Sequence, residues 1–370
     1  MLCLAHFFID LYSSVLSTFQ PILVDRLGLS LAQAGLLGGL LVFSSSTMQP
    51  VYGYLSDRLG SRLFTALAPA VAGVFISLLG LAPNYLLLIV LVLAGGAGIA
   101  SFHPQGSSLA SQGVTENRAR GMAVFISSGT LGLAFGPAFF STLAARGGIN
   151  ATALGMIPGL LISALLLWRL PAPGAAATAP TFAWSPLRAV WRPLFVLYLL
   201  VFFRSVVQIS FTQFLPLYLS RERGLTLEGA SLALSLYLAA GALGGFVGGH
   251  LADRFGGRAV IVASMIGSAP FLLLFFWTTG FWSMAGLALG GLVLLFTIPV
   301  NVTMGQALAP AQSATVSALM MGFAWGTAGM IFIPLVGRLA DAAGLHTALL
   351  SLLVFPVAGF FLALRLPRHA

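Results

Sequence analysis

The chain has 370 residues, of which 59% are hydrophobic and only 7% are charged, and its mean hydropathy is +1.02. A soluble domain carries about 25% charged residues, so the composition excludes a water-soluble fold and predicts a chain that lipid surrounds. The formal charge of +9 comes from arginine alone, in short loops between apolar stretches. That pattern indicates membrane topology and no nucleic-acid partner.

Twelve mostly apolar stretches are each long enough, at about 20 residues, to cross a bilayer as a helix. Their centres lie near residues 13, 43, 72, 98, 131, 159, 207, 238, 267, 295, 326 and 355. The longest break, at 171–191, is rich in proline and alanine. We therefore predict an all-α membrane protein with an N-terminal six-helix bundle over 1–170, a cytoplasmic linker over 171–191 and a C-terminal six-helix bundle over 192–370.

The first predicted helix carries Asp10 well inside its apolar stretch. A carboxylate at the centre of a membrane helix costs about 2.5–3.5 kcal/mol on insertion scales, so it needs a partner or water. His6 precedes Asp10 by one helical turn and either orients it or lies near the membrane surface. Asp10 is interpreted as a proton carrier or as half of a static structural pair. Tyr12 is a further polar candidate for binding substrate.

A ten-residue segment after the second predicted helix recurs in the other half of the chain. GYLSDRLGSR at Gly53–Arg62 returns as GHLADRFGGR at Gly249–Arg258, an offset of 196 residues with six identities. Such a duplication is typical of transporters whose substrate site lies near mid-membrane between repeats. We expect these loops to gate the cytoplasmic side through Gly53, Asp57, Arg58, Gly60, Arg62, Gly249, Asp253, Arg254, Gly256 and Arg258.

His103 stands before Pro104 in the fourth predicted helix. Proline removes a backbone donor and bends the helix, which often exposes carbonyl groups to a cavity. An imidazole at that point could exchange protons near neutral pH or bind substrate. Equally, it could be a neutral histidine that hydrogen-bonds between helices.

Arg204 is the one arginine that lies inside a predicted helix, the seventh. Adding the repeat offset of 195 to Asp10 gives position 205, so the two charges lie at nearly equivalent heights in the two halves. We expect both to face a central cavity, close together or bridged by water, with Arg204 offering a cation to anionic substrate groups. Gln213 and Asn301 are mid-helix polar candidates, although interhelical hydrogen bonding is the commoner role of such residues.

The spacing of glycines predicts where helices pack closely, and the distribution of arginines predicts the membrane topology. Gly241, Gly245 and Gly249 recur every four residues, with Gly244 and Gly248 alongside, which predicts close helix contact there. Eleven arginines lie in loops after even-numbered helices or in the C-terminal tail, and five lie in loops after odd-numbered helices. The positive-inside rule then places both termini in the cytoplasm.

No enzyme motif is visible. The sequence has no Walker loop, no HExxH motif, no nucleophile elbow and no Cys/His spacing for a metal. We therefore expect a protein that is not an enzyme and that holds no cofactor or metal. Without a nucleotide site, the energy for transport comes from an ion or substrate gradient.

The repeated G-x-L-x-D-R-x-G-x-R loop resembles the signature of the major facilitator superfamily. A closer likeness, to its fosmidomycin-resistance-type subfamily, rests on His6-x-x-x-Asp10, on Gln49-Pro50 and on Phe102-His103-Pro104. In the fifth predicted helix, Gly129, Gly132 and Gly136-Pro137 look like part of the antiporter motif of drug exporters. That motif is incomplete, because Ala123 stands where a first glycine is usual and Phe140 and Ser141 replace the trailing glycines.

This resemblance implies a proton-coupled antiporter of the bacterial inner membrane that exports a small polar or amphipathic drug or metabolite, with antibiotic resistance as one outcome. We expect a monomer working by rocking-type alternating access, with Asp10 and His103 carrying protons. His6, Tyr12, His103, Arg204, Gln213 and Asn301 are the expected substrate contacts. The alternatives are an organic-anion uptake symporter or facilitator and, from another class, a non-transporting membrane sensor on a transporter scaffold.

Overall fold

The computed structural model describes residues 1–59, 61–112, 118–170 and 184–366. Within these residues the chain forms helices and no β-strand, and twelve helices are long and apolar enough to cross a membrane. The predicted all-α architecture is therefore confirmed. The helices are α1 (Leu2–Leu27), α2 (Leu31–Ser56), α3 (Leu63–Leu81), α4 (Tyr85–Ala110), α5 (Val124–Gly147), α6 (Ile149–Arg169), α7 (Trp191–Arg221), α8 (Leu227–Phe255), α9 (Gly257–Trp277), α10 (Gly280–Leu308), α11 (Thr315–Ala343) and α12 (Leu345–Ala363).

The described residues form two compact units. The first contains α1 to α6 together with Gln213–Ser235, the end of α7 and the start of α8, and the second contains the rest. An ion pair between Asp25 and Arg221 is one contact that holds the added segment in the first unit. The division into bundles at 1–170 and 192–370 stays a prediction, and most of the expected linker, residues 171–183, lies outside the described residues.

In the first unit, α1 and α5 pack closely because α5 presents glycines to the α1 backbone. A Cβ atom at Gly132 would overlap the carbonyl oxygen of Phe7, and one at Gly136 would overlap that of Leu11. Pro137 follows inside α5. The glycine motif in the fifth helix therefore acts here as a packing surface, since only a side chain without Cβ allows this approach.

In the second unit, α8 approaches α10 in the same way, through Gly244 and Gly248 of the predicted glycine cluster. A Cβ atom at Gly244 would overlap the Leu292 carbonyl oxygen, and one at Gly248 the Phe296 carbonyl oxygen. By contrast, a Cβ atom at Gly245 would meet nothing within 4 Å. The predicted close contact is therefore present, and the rotation of α8 turns Gly244 and Gly248 toward the α10 backbone.

Two helices contain π-helical turns. One spans Phe43–Thr47 in α2, where Ser44 donates a hydrogen bond to the Leu93 carbonyl oxygen at 2.6 Å. The other spans Ala318–Phe323 in α11. Such turns insert one extra residue into a helix and occur frequently at functional sites.

Candidate functional site

Three ionisable side chains meet in the first unit, and we call them the His–Asp cluster: His6, Asp10 and His103. The Nε2 atom of His6 lies 3.3 Å from Asp10 Oδ2, and the Nε2 atom of His103 lies 3.2 Å from Asp10 Oδ1. His6 is 6% exposed, and the other two residues are partly buried. The carboxylate therefore has one imidazole on each of its oxygens.

Backbone carbonyl groups fix both imidazole rings. His6 Nδ1 lies 2.8 Å from the carbonyl oxygen of Phe125, and His103 Nδ1 lies 2.9 Å from that of Ile99. The Phe125 ring also stacks on the His6 ring at a centroid distance of 4.2 Å. Phe125 was not among the expected site residues, since nothing in its sequence context marks it.

Gly129 provides the space for the cluster. A Cβ atom at this position would overlap Asp10 Oδ2 and would lie 2.5 Å from His6 Nε2. The sequence placed Gly129 in a glycine motif of α5 without connecting it to Asp10. In the structure, Gly129 of α5 packs directly against His6 and Asp10, the two cluster residues on α1.

The cluster also has the composition of a cation site. One ligand atom from each of the three residues lies within 4.8 Å of the others. Sequence spacing alone had suggested no metal-ligating group, because His103 is far from the other two residues in the chain. The expected absence of a metal stays a prediction.

Arg204 lines a cavity of about 170 Å³ in the second unit, which we call the arginine pocket. The side chain is 5% exposed, and its guanidinium donates a hydrogen bond to Gln208 Oε1 at 2.6 Å. Its Nε atom is buried without a hydrogen-bond partner among the described residues. The pocket is lined by Val201, Arg204, Gln208, Ile298, Val302, Met320, Met321 and Trp325.

No carboxylate balances Arg204 within the described part of its unit. The acidic residues there are Asp253 and Asp341, both exposed near the ends of α8 and α11. Tyr237, which the sequence analysis missed, is fully buried and interacts electrostatically with Arg204. The arginine pocket thus presents a buried positive charge beside neutral polar and apolar groups. The predicted meeting of Asp10 with Arg204 joins the two units and stays a prediction.

Tyr12 is held by the backbone. Its hydroxyl donates to the Gly155 carbonyl oxygen at 2.8 Å and accepts from the Gly159 amide at 2.9 Å. Both contacts lie on the α6 side of the first unit. Because the hydroxyl already has a donor and an acceptor partner, the geometry favours a packing role for Tyr12 over the substrate contact that we expected.

Gln213 is a buried residue of the first unit, and Asn301 is a buried residue of the second unit. Gln213 packs against Gly38, and its buried Nε2 atom has no hydrogen-bond partner among the described residues. Asn301 is completely buried, and both its amide atoms lack such partners in the same part of the chain. It is not among the residues that line the arginine pocket. Their expected roles in substrate binding stay predictions.

The repeated loops make equivalent contacts in the two halves of the sequence. Arg62 donates to the carbonyl oxygen of Leu170, at the end of α6. Arg258 donates to the carbonyl oxygen of Leu364, at the end of α12, at 2.8 Å. The last arginine of each repeat therefore ties its loop to the final helix of its half.

For the other expected gating residues, the structure shows exposure and backbone conformation. Asp253 and Arg254 are exposed, Gly256 adopts a left-handed conformation with φ of 84°, and Gly53 lies against Pro104. Arg58 is likewise exposed. Gly60 lies outside the described residues, as does the side chain of Asp57. The predicted gating role of both loops is untested by these contacts.

The family model for the Major Facilitator Superfamily matches residues 2–321 and 197–370. The chain belongs to the Major Facilitator Superfamily. Among curated relatives of this transporter, the MFS-type transporter YfnC of Bacillus subtilis (strain 168) is 30% identical over 98% of this chain and 91% of its own. The fosmidomycin resistance protein of Escherichia coli (strain K12) is 26% identical over 96% of this chain and 88% of its own.

Solved structures agree with this family. A bacterial homologue of the human lysosomal transporter Spinster, in an inward-facing and occupied conformation, superposes with a TM-score of 0.83. It is 17% identical, over 99% of this chain and 96% of that one, so the likeness concerns the fold. The protein is therefore a multi-pass membrane transporter of the Major Facilitator Superfamily.

Proposed function

We propose that this transporter is a proton-coupled antiporter that exports a small polar or amphipathic molecule by alternating access. The observation that carries the proposal is the partly buried Asp10 carboxylate, with His6 and His103 on its two oxygens. Ionisable side chains within membrane helices are costly, and they mark proton and substrate pathways. Asp10 and His103 are the proton-carrying groups in this proposal.

Alternating access supplies the driving step. When a cavity opens to one side, water reaches the His–Asp cluster and protons exchange with that side. When it closes, the low dielectric of the interior raises the cost of any unpaired charge. The number of bound protons then differs between the two states, and this difference links proton flow to the conformational change.

The arginine pocket is the proposed site for the charged end of the substrate. Arg204 remains positively charged under all ordinary conditions, and its fork of N–H donors suits carboxylate, sulfonate or phosphonate oxygens. Met320, Met321 and Trp325 would contact an apolar part of the molecule. Two relatives are a fosmidomycin resistance protein and a probable sulfoacetate transporter, and both are consistent with an anionic substrate.

The surrounding assignments follow the same proposal. The protein acts as a monomer in the bacterial inner membrane, with both termini in the cytoplasm. The repeated loops around Asp57 and Asp253 gate the cytoplasmic side, so Asp57→Asn should slow transport without abolishing substrate binding. Unchanged kinetics in that variant would contradict the gating role.

Uptake of an organic anion, by symport or facilitated diffusion, is the second candidate. The arginine pocket supports uptake as well as export, because a site that binds an anion does not set the direction of transport. Net inward flux in oriented vesicles would support uptake. Binding of anions without any flux would support a non-transporting sensor.

Inverted membrane vesicles with an acidic interior test the main proposal. A panel of phosphonates, sulfonates, carboxylates and common drugs is added, and a pH dye reports the interior. We expect substrate-evoked proton release from vesicles with wild-type protein and with Asp25→Asn, and none with Asp10→Asn. Asp25 is the matched control because it is an exposed aspartate paired with Arg221. Wild-type exchange in the Asp10→Asn vesicles would refute the proposal.

A further inference from the structure

The hydrogen bond between Arg204 and Gln208 fixes the orientation of the Gln208 amide. An arginine guanidinium carries N–H donors and no acceptor, so the amide atom that faces it must be the carbonyl oxygen. The structure has this arrangement, with Arg204 Nη1 donating to Gln208 Oε1 at 2.6 Å. The amide nitrogen of Gln208 is therefore directed away from Arg204, with both of its hydrogens still to donate.

Gln208 is held in the wall of the arginine pocket. It follows Arg204 by four residues on α7, and residues at this spacing lie on one face of a helix. Both residues line the pocket, and their exposed fractions are only 8% and 5%. Among the described residues, the hydrogen bond of the Gln208 side chain is the one that its oxygen accepts from Arg204. A polar group this buried usually has partners for its hydrogens, which indicates that a ligand supplies them.

The polar groups around the pocket are hydrogen-bond donors. Among the described lining residues, the polar side chains are those of Arg204, Gln208 and Trp325. Arginine and the indole of tryptophan donate hydrogen bonds and accept none, and the Gln208 oxygen is already engaged. The other lining residues are valine, isoleucine and methionine, and a methionine sulfur is a weak acceptor. The pocket thus combines a positive charge with several donors.

A lining of donors matches one class of chemical group. An oxyanion such as a sulfonate or an ionised carboxylate accepts hydrogen bonds on every oxygen and donates none. A hydroxyl, amide or ammonium group brings hydrogens that would stay without an acceptor in a buried site, which is unfavourable. The hydrogen-bonding pattern therefore adds a requirement to the negative charge.

We propose that Gln208 is a ligand of the transported anion and determines its specificity. The side-chain oxygen of Gln208 holds the Arg204 guanidinium, and its amide nitrogen donates to the same oxyanion. The substrate class is then an organic anion whose charged group has acceptor oxygens and no hydrogen to donate. This inference rests on the proposed function, because it takes the arginine pocket as the substrate site.

Equilibrium binding to purified protein, without any ion gradient, tests this role with two ligands of similar shape. Butanesulfonate carries a negative charge on oxygens that only accept, whereas butanesulfonamide has the same alkyl chain and N–H donors in place of one oxygen. We expect the wild type to prefer the sulfonate. In Gln208→Leu, the Kd of the sulfonate should rise about 10- to 150-fold, the range for one hydrogen bond to a charged group. The Kd of the sulfonamide should change little.

Two further variants separate the ligand role of Gln208 from its contact with Arg204. In an Arg204→Lys background, where a positive charge remains, Gln208→Leu should still weaken sulfonate binding, because the amide donates to the anion itself. Gln208→Glu keeps the shape of the side chain, but its carboxylate neutralises Arg204 and offers no donor. Sulfonate binding should therefore fall further than in Gln208→Leu, while the melting temperature of the protein is maintained.

Gln306→Leu is the matched control, because it removes an amide elsewhere in the second unit. Gln306 donates a hydrogen bond to Ser317 at 2.7 Å and is not among the residues that line the arginine pocket. Both Kd values should stay at their wild-type level in this variant.

Each contrary outcome has a distinct meaning. Equal weakening of both ligands in Gln208→Leu, or wild-type sulfonate binding in either Gln208 variant, would overturn the inference. No further loss in the Arg204→Lys background would show that Gln208 acts only through Arg204, and would overturn its role as a ligand. A wild type that binds neither compound would remove both this inference and the anion site. The expected Kd pattern without substrate-evoked proton release would refute the antiport proposal and leave the role of Gln208 standing.

Discussion

Helices α1 and α7 occupy equivalent places in the sequence repeat, yet they carry charges of opposite sign in unlike surroundings. Asp10 on α1 lies between two histidines, the residue type that most readily exchanges protons in proteins. Arg204 on α7 has the neutral Gln208 as its hydrogen-bond partner and remains charged. A duplicated scaffold has thus given one half a charge that can be changed and the other half a charge that is permanent.

That difference suggests a division of labour. A cluster whose charge varies suits protons, since proton exchange costs little structural rearrangement. A permanent buried cation with no described carboxylate of its own unit beside it suits an anion that arrives and leaves, because an unpaired buried charge is destabilising until it is compensated. Four substitutions, from the largest expected effect to the smallest, would break or sharpen this comparison.

Gly129→Ala should have the largest effect, because it disrupts the His–Asp cluster. The added methyl group would overlap Asp10 Oδ2 and crowd His6 Nε2. We expect proton-coupled flux to fall by about 5- to 150-fold, the range of a typical coupling free energy. Vesicle flux measures the loss. The control is Gly245→Ala, where a Cβ atom meets nothing within 4 Å, and normal coupling in Gly129→Ala would count against the role of the cluster.

Arg204→Gln should weaken anion binding in the arginine pocket, because it removes the permanent positive charge. A hydrogen bond to a charged group contributes about 1.5–3 kcal/mol, so the Kd of an anionic substrate should rise about 10- to 150-fold. Arg204→Lys should show a smaller increase, since the charge remains but the fork of donors is lost. Equilibrium binding to purified protein gives the Kd values.

Arg338→Gln is the matched control for this experiment. Arg338 is an exposed arginine on α11, outside the arginine pocket. The Arg338→Gln substitution removes one positive charge, as Arg204→Gln does, but leaves the arginine pocket unchanged. If both glutamine variants raise the Kd equally, the effect comes from net charge and the arginine pocket is not the anion site.

Gly132→Ala should lower stability by separating α5 from α1. Its Cβ atom would overlap the Phe7 carbonyl oxygen and push α5 away from α1. Overpacking of this kind costs about 1–3 kcal/mol, which thermal unfolding in detergent would detect. Gly245→Ala should be neutral or stabilising by up to about 1 kcal/mol, because alanine is the better helix former. Equal melting temperatures for the two variants would contradict the packing role.

Tyr12→Phe separates packing from binding in the first unit. Loss of the hydroxyl removes the two hydrogen bonds to the α6 backbone. A typical hydrogen bond contributes about 1 kcal/mol to stability, so a small decrease in melting temperature is expected. The substrate Kd should stay at its wild-type value, and a clear increase would restore Tyr12 as a substrate contact.

Much of the architecture was predictable because it depends on local composition. Each predicted helix centre falls within the corresponding helix from α1 to α12. Apolar length alone decides which segments cross a bilayer, since no water is present to satisfy an unfolded backbone. The proximity of His6 to Asp10 was likewise a local matter, because residues four apart lie on one face of a helix.

The site itself depended on contacts between segments far apart in the chain. His103 is separated by 93 residues from Asp10, and Phe125 and Gly129 approach His6 and Asp10 from α5. The rotation of α8 selects Gly244 and Gly248 over Gly245 as its contact face. The hydroxyl of Tyr12 similarly meets the α6 backbone, a contact that spans more than 140 residues of the chain.

The sequence by itself determined the family, the twelve membrane helices and the two intramembrane charges, because hydropathy and repeated motifs are written along the chain. The tertiary structure decided which side chains surround each charge. Helix rotation and close approach, which have no local signature, brought His103, Phe125 and Gly129 to His6 and Asp10 and left no described carboxylate of the second unit beside Arg204. Those partners are what separate the proposed proton site from the proposed anion site.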